Sequence, residues 1–144
     1  MSKRFMKNQR GSALIETAIT IPIVLLVSVA IFEFGRAYQT WQVLTNAARE
    51  GARVAVIQGM TDQRVQDTVR TYLTSGRITN PGSAAVNINR NVPINGGDTA
   101  SSVTISYPFN FIVLNPVARL VVSGTNTGSA PVTMQSVATM RNES

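Results

Sequence analysis

Glu16 is the residue whose surroundings most clearly call for a chemical role. It is the only charge in SALIETAITIPIVLLVSVAIF, residues 12–32. A carboxylate in an apolar run is costly unless it is paired or lies close to lipid headgroups, so such a position reads as functional by default. The rest of the inventory offers little to an enzyme. The chain has no histidine and no cysteine, which excludes cysteine and histidine zinc centres, thiolate nucleophiles and His-based triads. Asp62 and Asp67 are five residues apart and do not share a helix face, so they form no convergent acid/base pair. Asn95-Gly96-Gly97-Asp98 lacks the lysine of a phosphate loop and the carboxylates of a calcium loop, and reads as a turn. A non-enzymatic protein without cofactor or metal is expected.

The formal charge of +6 and the pI near 10.8 would suit a nucleic-acid binder if the basic residues were gathered on one surface. They are gathered instead at the start. Lys3, Arg4, Lys7 and Arg10 fall within the first eleven residues, which hold no acid, whereas residues 12–144 carry nine arginines against seven acids and no lysine. No arginine cluster interleaved with aromatics is present, so no nucleic-acid partner is expected. As a helix rising ~1.5 Å per residue, positions 12–32 reach about 31 Å, the thickness of a hydrocarbon core. Basic charge ahead of that span predicts a cytoplasmic N-terminus and a translocated remainder. A cleaved secretory signal would have a shorter apolar region and a small-residue site after it. Here Phe32, Glu33, Phe34 and Arg36 crowd that place.

The order KNQRG followed by SALIE resembles a type IV prepilin leader, which is short and basic, ends in glycine, and has glutamate at the fifth position after the cut. The resemblance implies that a prepilin peptidase cuts between Gly11 and Ser12 on the cytoplasmic side and leaves the apolar helix on the mature chain. It also implies that Glu16 pairs with the new amino terminus of a neighbouring subunit. Both fit elementary physics: glycine resists helix and leaves a cut site extended, and the pair neutralises two charges that would otherwise be buried bare. A purely local alternative has Gly11 preceding a helix capped by Ser12, with Glu16 near the favourable end of the dipole. A capping box would need an acid at position 15, where Ile15 stands.

A longer stretch, residues 11–57, resembles the N-terminal signature of TadE-like proteins of the tight adherence (Tad) pilus machinery. The matching features are Gly11, Ala13, Glu16, Ala18, Pro22, the Glu33/Gly35 pair and the segment Ala47-Ala48-Arg49-Glu50-Gly51-Ala52-Arg53. The ending SVATMRNE, Ser136–Glu143, is similar to that family's usual ending. The resemblance implies a minor pilin or pseudopilin taking part in assembly of a Tad/Flp (type IVb) pilus for surface adherence. Its implied partners are the prepilin peptidase, other Tad pilins and inner-membrane platform proteins. Its implied place is the bacterial inner membrane, with the C-terminal domain periplasmic or carried into a surface pilus. TadF-like proteins are close in size, and the choice between the two stays open. A different class, a single-pass anchored adhesin or scaffold that keeps its leader and never enters a filament, fits the same span.

These features imply a leader at 1–11, a transmembrane helix at 12–34 and a pilin-like extracytoplasmic domain at 35–144. Pro22 removes a helix hydrogen bond, so a kink is expected there. Past the membrane the helix continues as a stripe through Tyr38, Trp41, Leu44, Ala48, Ala52 and Ala55, with the two aromatics at the lipid interface and the small residues packing on the protein's own domain. Glu50 and Arg53 are spaced to pair. A second helix runs from Thr61 or Asp62 to Thr74, with Val65, Val69, Tyr72 and Leu73 on one face and Ser75-Gly76 as its stop. Asn80-Pro81-Gly82 is a turn. Alternation predicts strands over 85–89 and 101–107, joined as an antiparallel hairpin through the Asn95–Asp98 loop, and a last strand over Pro131–Met140 with Val132, Met134, Ser136, Ala138 and Met140 on one side. Residues 109–122 fit either a loop or a short element, and Phe109, Phe111, Ile112, Val113 and Leu114 read as core. The fold class is α+β, with a long N-terminal helix and a second helix packed on a small antiparallel sheet.

Overall fold

A computed structural model describes residues 9–94, 98–113, 115–116 and 131–142, with side chains from residue 11 onward. Helix α1, Gln9–Ala55, is a single element of 47 residues, about 70 Å long at ~1.5 Å per residue. Among the described residues, its second half is the part that meets the rest of the protein. From Glu33 onward its buried side chains are Glu33, Ala37, Leu44, Ala47, Ala48, Ala52 and Ala55. Tyr38 and Trp41 are not part of that buried stripe, with exposures of 61% and 45%. Tyr38 lies one residue, about 100°, around the helix from Ala37, and Trp41 leans on it with ring centroids 6.2 Å apart.

Helix α2, Asp62–Ser75, begins where the polar-to-periodic change placed it. Its N-cap is Thr61, whose hydroxyl accepts the Arg64 N–H at 3.3 Å, satisfying one of the donors a helix start leaves open. Val65, Val69 and Leu73 are buried against α1, while Tyr72 turns outward. Helix α2 stops at Ser75-Gly76, as the sequence predicts, with Gly76 as its C-cap but not in a left-handed conformation. The φ of Gly76 is −75°, and the left-handed residue is Arg77 at φ 55°. Gly76 is needed for space: a Cβ there would sit 2.4 Å from Val43 Cγ1.

The sheet is antiparallel in the order β1-β2-β3, formed by β1 Ala85–Pro93, β2 Thr99–Phe109 and β3 Val132–Arg141. The central strand pairs Ile105 with Val86 on one side and with Ser136 on the other. Val103, Ile105, Tyr107 and Phe109 alternate inward and are buried against the helices, so the period-two reading holds from Ser101 to Phe109, while Ala100 at the strand's start is buried as well. On β3, Met134, Ser136, Ala138 and Met140 face the core, whereas Val132 is 51% exposed at the strand's start. The turn at 80–82 is a 3-10 turn, Pro81–Ser83, entered through Asn80 in the left-handed region.

Arg90, on β1, ties the layers together. It donates to the carbonyls of Ala55 and Met60 at 2.8 Å each and to Asp62 Oδ1 at 2.7 Å. One guanidinium thereby satisfies a carbonyl left open at the end of α1 and fixes the start of α2. At the other edge, Asn142 bonds the Arg90 carbonyl, Thr99 and Ser101, closing the end of β3 onto β1 and β2.

The small residues of α1 explain how closely these layers approach. At Gly51, a Cβ would lie 2.6 Å from Val69 Cγ2 and 3.3 Å from Val103 Cγ1, so this position sets the distance of α1 from both α2 and β2. At Gly35 a Cβ would meet nothing within 4 Å. Gly51→Leu is therefore expected to lower stability by about 1–3 kcal/mol through overpacking. Gly35→Ala should leave it unchanged or raise it by the helix-propensity gain of about 0.5–1 kcal/mol. Thermal unfolding of both full-length variants in detergent checks the contrast.

Candidate membrane and assembly site

The first half of α1 buries almost nothing within the chain. Leu14, Ile15, Ile19, Ile23, Val24, Leu25, Leu26, Ile31, Phe32 and Phe34 are all exposed large hydrophobics. An 18-residue window here has a mean hydropathy of 2.4 and no buried share, and it is the one candidate span among the described residues. A helix apolar on every face needs cover on every face. Three of its hydroxyls are satisfied locally: those of Thr17, Thr20 and Ser28 donate to the carbonyls of Ala13, Glu16 and Val24 at 2.7–2.9 Å. No donor on these side chains is left to water, as an apolar surrounding requires. The helix is unbroken through Pro22.

Gly11 and Ser12 are helical residues of α1, so Ser12 caps nothing and the local capping alternative for this pair does not describe the fold. Lys3, Arg4 and Lys7 lie outside the described residues, as does the side chain of Arg10. Glu16 is exposed, and among the described residues no group bonds or pairs with its carboxylate.

The acid at the other end of the apolar segment has the opposite environment. Glu33 is fully buried. Its Oε1 accepts the N–H groups of Ile112 at 2.9 Å and Val113 at 3.1 Å. Its Oε2 lies 3.1 Å from the Ile112 nitrogen and accepts from Arg36 Nη2 at 3.2 Å. Arg36 also donates to the Asn110 carbonyl at 2.5 Å, and its guanidinium lies 4.6 Å from the centroid of the Phe109 ring. Phe111 then packs edge-on between Phe109 and Phe34, with centroids 5.2 and 6.3 Å away. The chain leaving β2 is thus clamped onto α1 by one ion pair, backbone hydrogen bonds and an aromatic stack.

This clamp corrects the reading of residues 109–114 as core. Phe109 is buried, Phe111 is half-buried, and Ile112 and Val113 are exposed at 63% and 40%. The reason is the backbone: turning the N–H groups of 112 and 113 toward Glu33 turns their side chains out. Leu114 and residues 117–122 lie outside the described residues. Sequence reasoning placed Glu33 and Arg36 among the residues that crowd a signal-cleavage site and missed the clamp. The available signal was their i, i+3 spacing just where the apolar run ends.

Three other groups respond to their surroundings. Arg53 bonds Glu50 at 2.6 and 3.1 Å, as the spacing predicted, and this holds the Glu50 carboxyl below its ordinary pKa and the Arg53 guanidinium above its own. Burial pushes the Tyr107 hydroxyl upward; it donates to the Thr79 carbonyl.

Residues 11–53 match the family model described as TadE-like protein. This segment is TadE-like. The match begins at Gly11, ends two residues short of the end of α1, and takes in Glu16, Pro22, Glu33, Gly35 and Gly51. No curated protein and no solved structure matches the chain. The TadE-like segment therefore coincides with α1, both its bare apolar half and the half built into the domain.

The clamp makes a measurable prediction. Glu33→Ala removes the acceptor for two backbone donors and the partner of Arg36. It is expected to cost about 2–4 kcal/mol, short of the full penalty for a broken buried pair because Arg36 is partly exposed. Amide hydrogen exchange at Ile112 and Val113 should accelerate more than exchange within β2.

Proposed function

We propose that this protein is a minor pilin or pseudopilin of a Tad-type pilus, cleaved after Gly11 by the prepilin peptidase, with a structural and non-catalytic role in assembly. The observation that carries the reading is the contrast between the two glutamates of α1. Glu33 is fully satisfied inside the chain, whereas Glu16, at the start of a segment that buries nothing, has no partner among the described residues. A partner from outside the chain is the natural complement to such a carboxylate. The free amine of Ser12 on a neighbouring subunit supplies it, neutralising both charges within a packed bundle of apolar helices. The match to the TadE-like family beginning at Gly11 supports the same reading.

In this reading the apolar half of α1 first spans the inner membrane, N-terminus cytoplasmic and the domain periplasmic, and then packs among other Tad pilins. Inner-membrane platform proteins and the peptidase are its other partners. The Lys3, Arg4, Lys7 and Arg10 leader orients the chain before it is removed. No part of this asks the domain to bind nucleic acid or a cofactor.

Intact mass and N-terminal sequencing of the membrane-extracted protein should give a chain beginning at Ser12. A chain retaining Met1–Gly11 in cells with the whole pilus system would instead support an anchored adhesin or scaffold outside any filament. Gly11→Val should block processing. Glu16→Ala should be processed normally but recovered poorly in sheared pili, and normal recovery would remove Glu16 from the assembly mechanism.

A further inference from the structure

We propose that the chain leaving β2, Phe109–Val113, is a second membrane contact, with Ile112 and Val113 seated in the headgroup–acyl boundary of the bilayer that α1 crosses. The proposal rests on the reading of α1 as a membrane span and adds to it a point where the folded domain itself touches lipid.

Depth is the first argument. The N–H groups of Ile112 and Val113 bond to the carboxylate of Glu33, the residue that directly follows the apolar run 12–32. The loop is therefore held at the level where the hydrocarbon ends. Chemistry is the second. Phe109-Asn110-Phe111-Ile112-Val113 carries no charge. The Asn110 carbonyl is taken by Arg36, and the two N–H groups are taken by Glu33. Irregular backbone can approach lipid only when its polar groups are satisfied within the protein, and the clamp supplies partners for these three. Continuity is the third. Exposed Ile112 and Val113 directly follow Phe111, whose ring meets that of Phe34, an exposed side chain at the end of the span. One apolar surface passes from helix to loop, so the solvent that covers the first also covers the second.

The Glu33–Arg36 pair then acts as a neutral plug. A bare carboxylate at this depth would draw water to the lipid boundary, whereas the paired one is closed over by the loop it holds.

Because the chain has no cysteine, one introduced cysteine gives one labelling site. Full-length protein carrying an environment-sensitive fluorophore at Ile112→Cys is reconstituted into phosphatidylcholine/phosphatidylglycerol vesicles. Ile23→Cys serves as the reference within the span and Gln135→Cys as the reference on the outer sheet face. The label at 112 should emit to the blue of that at 135, lose intensity to lipids spin-labelled near the headgroup, and resist iodide. The label at 23 should lose most to deeply placed spin labels. Emission at 112 that follows 135, with 23 still quenched by lipid, overturns the loop contact and leaves the span intact. A label at 112 shielded from both lipid and aqueous quenchers means that protein covers the loop, which also overturns it. Aqueous quenching at 23 defeats the span and the loop contact together.

Discussion

The buried carboxylate of Glu33 is the point on which the rest of this architecture depends. A helix as long as α1 has no intrinsic place to stop being a membrane segment and start being part of a folded domain. The clamp defines that place. Two backbone N–H groups and Arg36 satisfy the carboxylate, and the same bonds draw the end of β2 onto α1 at that level. If the charge were left unpaired, its desolvation would oppose burial. Paired, it closes the membrane-proximal end of the core and positions Phe109 and Phe111 beneath it.

The two halves of α1 follow different packing rules because different matter surrounds them. In the first half every face is apolar and the hydroxyls bond back to their own helix, which suits a medium without water. In the second half Ala47, Ala48, Gly51, Ala52 and Ala55 form the inward face, and their small size lets the backbone approach Val69 and Val103. Bulky residues on this face would push the helix off the sheet. Arg90 completes the arrangement from the far side by fixing the α1–α2 connection to β1.

Much of this was legible in the sequence wherever the signal is periodic or local. The apolar run, the start of α2 at Thr61, the alternation along β2 and β3, and the Glu50–Arg53 pair all depend on neighbours within a few residues. The Glu33 clamp was not legible, because it joins residues far apart in the chain through backbone N–H groups that have no side-chain signature. The same limit explains Gly76, whose glycine answers to Val43 across a helix packing and not to its own φ. Ile112 and Val113 were misread because composition reports that residues are apolar and not which medium they face. Tyr38 and Trp41 were counted into a stripe whose true angular width is set by the domain it packs on. Of the candidate site, Gly11, Ser12 and Glu16 could be named from sequence because leader, cut and acid stand within one short segment.

The unbroken passage of α1 from its apolar half into the core has a mechanical consequence. The helix lies along α2 and against β2 and β3 rather than at an outer edge of the sheet. Tension applied to its N-terminal end would load those contacts in shear, many at once, and would not peel one strand from the next bond by bond. Resistance to such a pull is a matter of unfolding rate rather than equilibrium stability, and the close seat of Gly51 against Val69 and Val103 is among the contacts it would load.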